Sequence, residues 1–200
     1  MKYLSDQLLD DLHAQTEAAI VTAISSWQQI SNTRLIMQPG PGQWSAAQCM
    51  AHLNSYGRYY LPAIEQAIRK ASSTKPSLDF KSGLLGNYFY KIMLPDSNGK
   101  PKKKMKSPGD HQPGIQLNAT VVLNEFITQL ERIGQLLVMA KHININQARV
   151  PISIAPFIRL KAGDVFLFLI AHIQRHMQQA ERALAAATSP EPGLKQLQES

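Results

Sequence analysis

Residues 165–184 read VFLFLIAHIQRHMQQAERAL. At 3.6 residues per turn, Val165, Phe168, Leu169, His172, His176, Gln179, Ala180 and Ala183 share one stripe, which predicts a helix over 161–187 with two histidines on its inward side. Three other stretches carry the same period. Over 118–143 the inward positions are Val121, Phe126, Ile127, Leu130, Ile133, Leu137 and Val138. Over 45–72 they are Cys49, Leu53, Tyr56, Tyr60, Ile64 and Ala67, and over 4–31 they are Leu8, Leu12, Ala19, Ala23, Trp27 and Ile30. Strand-like alternation never lasts. Four long helices in sequence make an all-α, antiparallel four-helix bundle the economical expectation.

The second of these helices has the sharpest start. Ser45-Ala46-Ala47-Gln48 spells a capping box, in which the Ser hydroxyl accepts from an amide of the first turn while the Gln side chain reaches back. Trp44 and Cys49 occupy the two positions of a hydrophobic staple. Pro62 removes one helical hydrogen bond and predicts a kink near Tyr59. Ser5 or Asp6 is the expected cap of the first helix, and the prolines and glycines of 38–43 (QPGPGQ) end that region. Residues 73–116 read as a long irregular insert between the second and third helices, holding five of the twelve prolines. Within it, 84–94 (LLGNYFYKIML) is amphipathic and predicts one or two helical turns. A connection of this length inside a compact domain is usually functional or mobile. Residues 144–159, with Pro151 and Pro156, form a second irregular stretch, and the polar tail after Thr188 is expected to fray.

A chain of 200 residues, 44% hydrophobic and 18% charged, fits one globular domain over 1–200. Cys49 is the sole cysteine, which excludes an internal disulfide framework and a Cys-only zinc knuckle and suits a reducing compartment. The first eleven residues lack the apolar centre of a signal peptide. The longest apolar run, 165–171, falls far short of the roughly 20 residues a bilayer demands, so a soluble, cytoplasmic protein with no membrane partner is expected. The net charge is +7, but Lys100, Lys102, Lys103, Lys104 and Lys106 sit in one short stretch, and without them the excess is +2. The basicity is therefore local: a solvated run, or a contact for an anionic partner. With Pro101 and Pro108 flanking it and no aromatic interleaved for base stacking, nucleic acid is not an expected partner.

His172 and His176 are one turn apart, about 6 Å along the axis, where two rings can share one metal ion. Chance supplies roughly 0.2 such pairs in a chain of this composition, so the spacing alone is a weak motif. Burial sharpens it, because a buried imidazole left without a partner costs about 1–3 kcal/mol. His52 lies beside the inward face of the second helix, and facing helices of a bundle can converge on one centre. Two readings stay open on these grounds: hydrogen-bonded core histidines, or three neutral imidazoles for Zn, Ni or Fe with an open coordination position. His13, His142 and the insert's His111 read as ordinary. Cys49 is a candidate fourth ligand or simply a small buried side chain. Tyr56 and Tyr60 offer hydroxyls to the site or fill core. The residues between the paired histidines are Ile173, Gln174 and Arg175, so a zincin glutamate is absent, and no G-x-S-x-G, P-loop or G-x-G-x-x-G occurs.

Trp44-Ser45, then Ala51-His52-Leu53, then His172-x-x-Arg175-His176-x-x-Gln179 together resemble the DinB-like (YfiT-like) metal-binding bundles, over about residues 8–187. The stretch 104–113 also looks like the proline-punctuated loop of one branch. The resemblance implies an up-down-down-up bundle, often a homodimer, and a divalent metal ion held by His52, His172 and His176 with water completing the shell. Beside those ligands, Gln179 either supports the site or simply fills core, Tyr56 is a candidate neighbour, and Arg175 is expected to be exposed or dimer-facing rather than catalytic. Relatives with known chemistry include S-transferases and isomerases that use a low-molecular-weight thiol such as bacillithiol or mycothiol; others are described as hydrolases, and many have no known reaction. No substrate-contacting motif is matched. The leading expectation is thus a metal-dependent transferase in which the metal activates a thiol cosubstrate against a small-molecule electrophile, the lysine loop attracting an anionic cosubstrate. Hydrolysis by water, and a non-catalytic bundle that keeps the metal for structure, are the alternatives.

Overall fold

A computed structural model describes residues 1–95 and 106–187 of the chain. Lys100, Lys102, Lys103, Lys104 and the tail from residue 188 lie outside the described residues; Lys106 lies within them. Six α-helices carry most of the described chain: α1 (Ser5–Thr22), α2 (Asn32–Ile36), α3 (Ala46–Lys70), α4 (Leu84–Met93), α5 (Ala119–Ala140) and α6 (Ala162–Ala186). Four short strands join them: β1 (Lys2–Leu4), β2 (Asp79–Lys81), β3 (Arg149–Ile152) and β4 (Ala155–Lys161). Of the long helices, α1 and α3 each pack against both α5 and α6, so one apolar core runs between the four. No helix among the described residues is long and apolar enough to cross a membrane.

The helices begin and end for local reasons. Ser45 caps α3 through the expected reciprocal pair: the Gln48 amide donates to Ser45 Oγ at 3.1 Å and the Ser45 amide to Gln48 Oε1 at 3.0 Å. The helix continues through Pro62. Asn118 caps α5, its side chain accepting from the Val121 amide. The first helix differs from expectation: neither Ser5 nor Asp6 caps it, and the Ser5 amide instead donates to Leu78 O at 2.8 Å. It is also shorter, with a π-helical turn over Ala23–Trp27 and the separate α2 beyond it. Residues spaced by four drift round a 3.6-residue helix, and the wider turn offsets that drift. Trp27 thereby stays inward and stacks on Phe126, ring centroids 6.1 Å apart.

Most of the expected inward positions are buried, with two exceptions on α5. Val121 and Val138 are 60% and 49% exposed. Val121 lies about 140° round the helix from Phe126, at 100° per residue, and so falls off the stripe that the other five occupy. The insert is also more ordered than expected. Residues 84–94 form nearly three turns, α4, packed on α6 rather than one or two turns, and β2 pairs antiparallel with β1 in the register Lys2↔Lys81, Tyr3↔Phe80 and Leu4↔Asp79. Phe80 is fully buried there, against a bare backbone: a Cβ on Gly163 would lie 2.6 Å from its ring. Asp164, buried at the start of α6, accepts from Ser82 Oγ at 2.5 Å and from the Gly83 amide at 3.0 Å, and so fastens the N-terminus of α4. Gly86 makes room for that carboxylate, since a Cβ there would stand 2.2 Å from Asp164 Cγ.

The stretch 144–159 is not irregular throughout. It holds β3 and the start of β4, an antiparallel hairpin with a register shift at Pro151/Ile152. Two tyrosines of α3 latch it down: Tyr59 OH donates to Ile152 O at 3.3 Å, and Tyr60 OH accepts from the Ser153 amide at 3.2 Å.

Candidate metal centre

α3 and α6 bring three buried histidines together. The ligand-capable nitrogens of His52, His172 and His176 all lie within 4.8 Å of one another. His52 Nε2 lies 3.1 Å from His172 Nε2. In a tetrahedral shell, two imidazoles bound at about 2.05 Å each stand about 3.3 Å apart, so this spacing suits a shared ion. The rings are 3%, 3% and 8% exposed, which leaves them little water to bind.

The neighbours of the three rings decide their tautomers. His52 Nδ1 faces the His111 carbonyl oxygen at 2.7 Å; a carbonyl only accepts, so Nδ1 carries the proton and Nε2 presents its lone pair. His176 Nδ1 faces Gln179 Oε1 at 3.0 Å, with the same consequence for its Nε2. His172 Nδ1 is buried and has no partner among the described residues. His52 and His176 thus each offer a lone pair at Nε2 within a three-histidine cluster, a donor set that a cation satisfies.

Electrostatics favours the neutral ligands a metal requires. Burial pushes His52 down to about 4 and His176 down to about 3, and it holds His172 well below the ordinary histidine value. The adjacent imidazoles and Arg175 push His172 and His176 further the same way. These directions fix one pH dependence. Unfolded histidine titrates near 6.5, so below that pH the unfolded chain binds protons that the folded one refuses. The stability held by the neutral rings is complete above pH 6.5 and is lost as pH falls through about 4 and 3. Thermal melts of chelator-treated protein should show Tm falling across this window more steeply than in the double variant His172→Leu, His176→Leu. Equal slopes would contradict the assignment of buried, neutral rings.

Aromatic side chains wall the cluster. Trp44 packs on His52 and His176 with centroids 4.9 and 5.8 Å away, Tyr56 meets His52 and His172 edge-on, and Phe168 stacks on His172 at 5.5 Å. Trp44 read from sequence as a staple; it is also a wall of the site. Cys49 is fully buried, burial pushes its thiol up to about 12, and it stands outside the histidine cluster. The Tyr60 hydroxyl is committed to the Ser153 amide, whereas Tyr56 lines the space before the histidines.

One residue expected to be ordinary belongs here. His111 is 5% exposed, its ring stacks on Tyr56 at 3.8 Å, and its own carbonyl orients His52. Its Nδ1 lies 2.9 Å from Ser55 Oγ, whose proton goes to His52 O at 2.7 Å. Nδ1–H therefore donates to Ser55, and Nε2 accepts from Ser153 Oγ at 2.9 Å. His111 thus ties the insert to both α3 and the β3–β4 hairpin. Sequence showed only a histidine among prolines; the proline-punctuated 104–113 stretch was the one signal that this part of the insert has a fixed course.

The histidines open onto a cavity of about 780 Å³ whose lining includes Gln112, Ser107, Lys106, Arg175 and Arg182 and no acidic side chain among the described residues. Arg175 is half-buried and donates to Ile92 O at 3.2 Å. His13 and His142 stand apart from the cluster.

Comparison with known proteins gives one match, in which the model of the DinB superfamily covers residues 15–180. No curated protein and no solved structure matches the chain.

Proposed function

The chain belongs to the DinB superfamily, and from that premise we propose that it is a metal-dependent enzyme in which His52, His172 and His176 hold one divalent ion, Zn, Ni or Fe, and that its reaction is transfer of a low-molecular-weight thiol to a small electrophile. The observation that carries this reading is the trio of buried histidines whose ligand-capable nitrogens lie within 4.8 Å of one another, with Nδ1 of His52 engaged by His111 O and Nδ1 of His176 by Gln179 Oε1. We read α1, α3, α5 and α6 as the up-down-down-up bundle that the resemblance implies, and 1–200 as one domain.

A divalent ion at this position supplies Lewis acidity, which lowers the pKa of a thiol or water beside it. The chain's own residues do the rest. Gln179 and the His111 carbonyl hold the imidazoles in the tautomer that offers Nε2. Trp44, Tyr56 and Phe168 exclude water from three sides, which strengthens electrostatic interactions within the site. Lys106, Arg175 and Arg182 give the cavity a basic lining that favours an anionic thiol cosubstrate. In the transfer, the thiol sulfur forms a bond to the electrophilic carbon, the leaving group departs with its bonding pair, and the thiol proton passes to solvent.

The test is a panel of electrophiles assayed with and without thiol. Turnover that requires thiol, disappears on chelation and returns with metal is expected. Turnover of the same substrates without thiol would overturn transfer in favour of hydrolysis by water.

A further inference from the structure

A second cavity adjoins the histidines. It has a volume of about 150 Å³ and lies between α3, α4, α6 and the turn of the β3–β4 hairpin. Four aromatic rings line it, Tyr56, Tyr60, Phe89 and Phe168, together with Ile92 and Ile154. Tyr56, Met93, Lys106 and Pro108 line both this space and the larger basic cavity, so the two share a border. Two of the four rings also touch a histidine of the cluster: Tyr56 meets His172 at 4.5 Å and Phe168 stacks on it at 5.5 Å.

Size and lining together identify an occupant. A cavity of about 150 Å³ lined by Leu, Ile and Phe is known to hold benzene. Aromatic walls reward a ring over an alkyl chain, since edge-to-face and offset contacts add attraction beyond burial. Tyr60 Oη accepts from the Ser153 amide at 3.2 Å, which holds the hydroxyl oxygen against the hairpin turn.

We propose that this cavity is the subsite for an aromatic ring, about the size of benzene, carried by the electrophilic substrate, and that it sets the reacting carbon beside His172. The inference rests on the proposed metal-dependent transfer for its purpose, but the cavity's ligand can be tested apart from that reaction. The position of Ile154 suits the test, because it is 59% exposed at the hairpin turn and bulk added there spares the core.

Fluorobenzene is the probe, followed by fluorine NMR on the full chain in zinc-loaded, cobalt(II)-loaded and chelated forms. Saturable binding to wild type is expected in all three. The variants Ile154→Trp and Ile92→Phe, each checked for a wild-type melt, should raise its dissociation constant at least about tenfold. Cobalt(II) should broaden the bound fluorine resonance well beyond the zinc form. Absence of saturable binding to folded wild type, or unchanged affinity in both variants, overturns the subsite. Absence of extra broadening with one cobalt bound overturns its placement beside the histidines. Failure to take up metal would instead count against the proposed reaction, while the two variants still decide the cavity.

Discussion

Replacing His172 with alanine should weaken zinc affinity by about a hundredfold or more, read by competition against a chromophoric chelator. Three protein ligands are the usual minimum for a catalytic zinc. The three rings are mutually adjacent, with centroids 4.6, 4.7 and 5.0 Å apart, and His172 Nε2 lies 3.1 Å from His52 Nε2. Without it, two imidazoles remain and water must complete the shell. Because the ring is buried, the variant also leaves a void, so circular dichroism and a melt are needed beside the titration. A folded variant that binds zinc as tightly as wild type would contradict the proposed ligand set.

Gln179→Leu should cost about 10–100-fold in the same titration with little change in secondary structure, the usual effect of removing the partner that orients a ligating histidine. Gln179 Oε1 accepts from His176 Nδ1 at 3.0 Å, and leucine has similar bulk and no acceptor. The side chain is only half-buried, so a pure packing role predicts almost no change in affinity. Gln179→Glu keeps an acceptor and should retain binding. Equal affinity across Gln, Leu and Glu would show that the contact is incidental to the tautomer.

The parts legible in the sequence were those written in one helix. The α6 stripe put His172 and His176 on the inward side because periodicity is a local property, and the Ser45/Gln48 cap fixed the start of α3 within one turn. His52 could be placed beside the inward face of its helix, and the fold brings it to the other two. What was illegible depends on chain return. His111 reaches back 59 positions to His52 from an insert whose prolines and lysines carry no period. The strands are three to seven residues long, too short for alternation to stand out, and β1 finds β2 only through a return of more than seventy positions. Arg175 was hard to place for a related reason: one of its partners is the carbonyl of Ile92 on α4, a helix read from sequence as a turn or two. Asp164 shows the same limit, since an acidic residue in a first helical turn reads as a dipole contact, yet it is buried under another helix's N-terminus.

The most direct test of the metal centre is X-ray absorption at the zinc edge on tag-free wild-type protein reconstituted with zinc and freed of excess metal. One zinc per chain with three imidazole nitrogens at about 2.0–2.1 Å is expected. Less than a fifth of an equivalent retained, or a shell of oxygen alone, would mean that His52, His172 and His176 are packed histidines of the core and hold no ion.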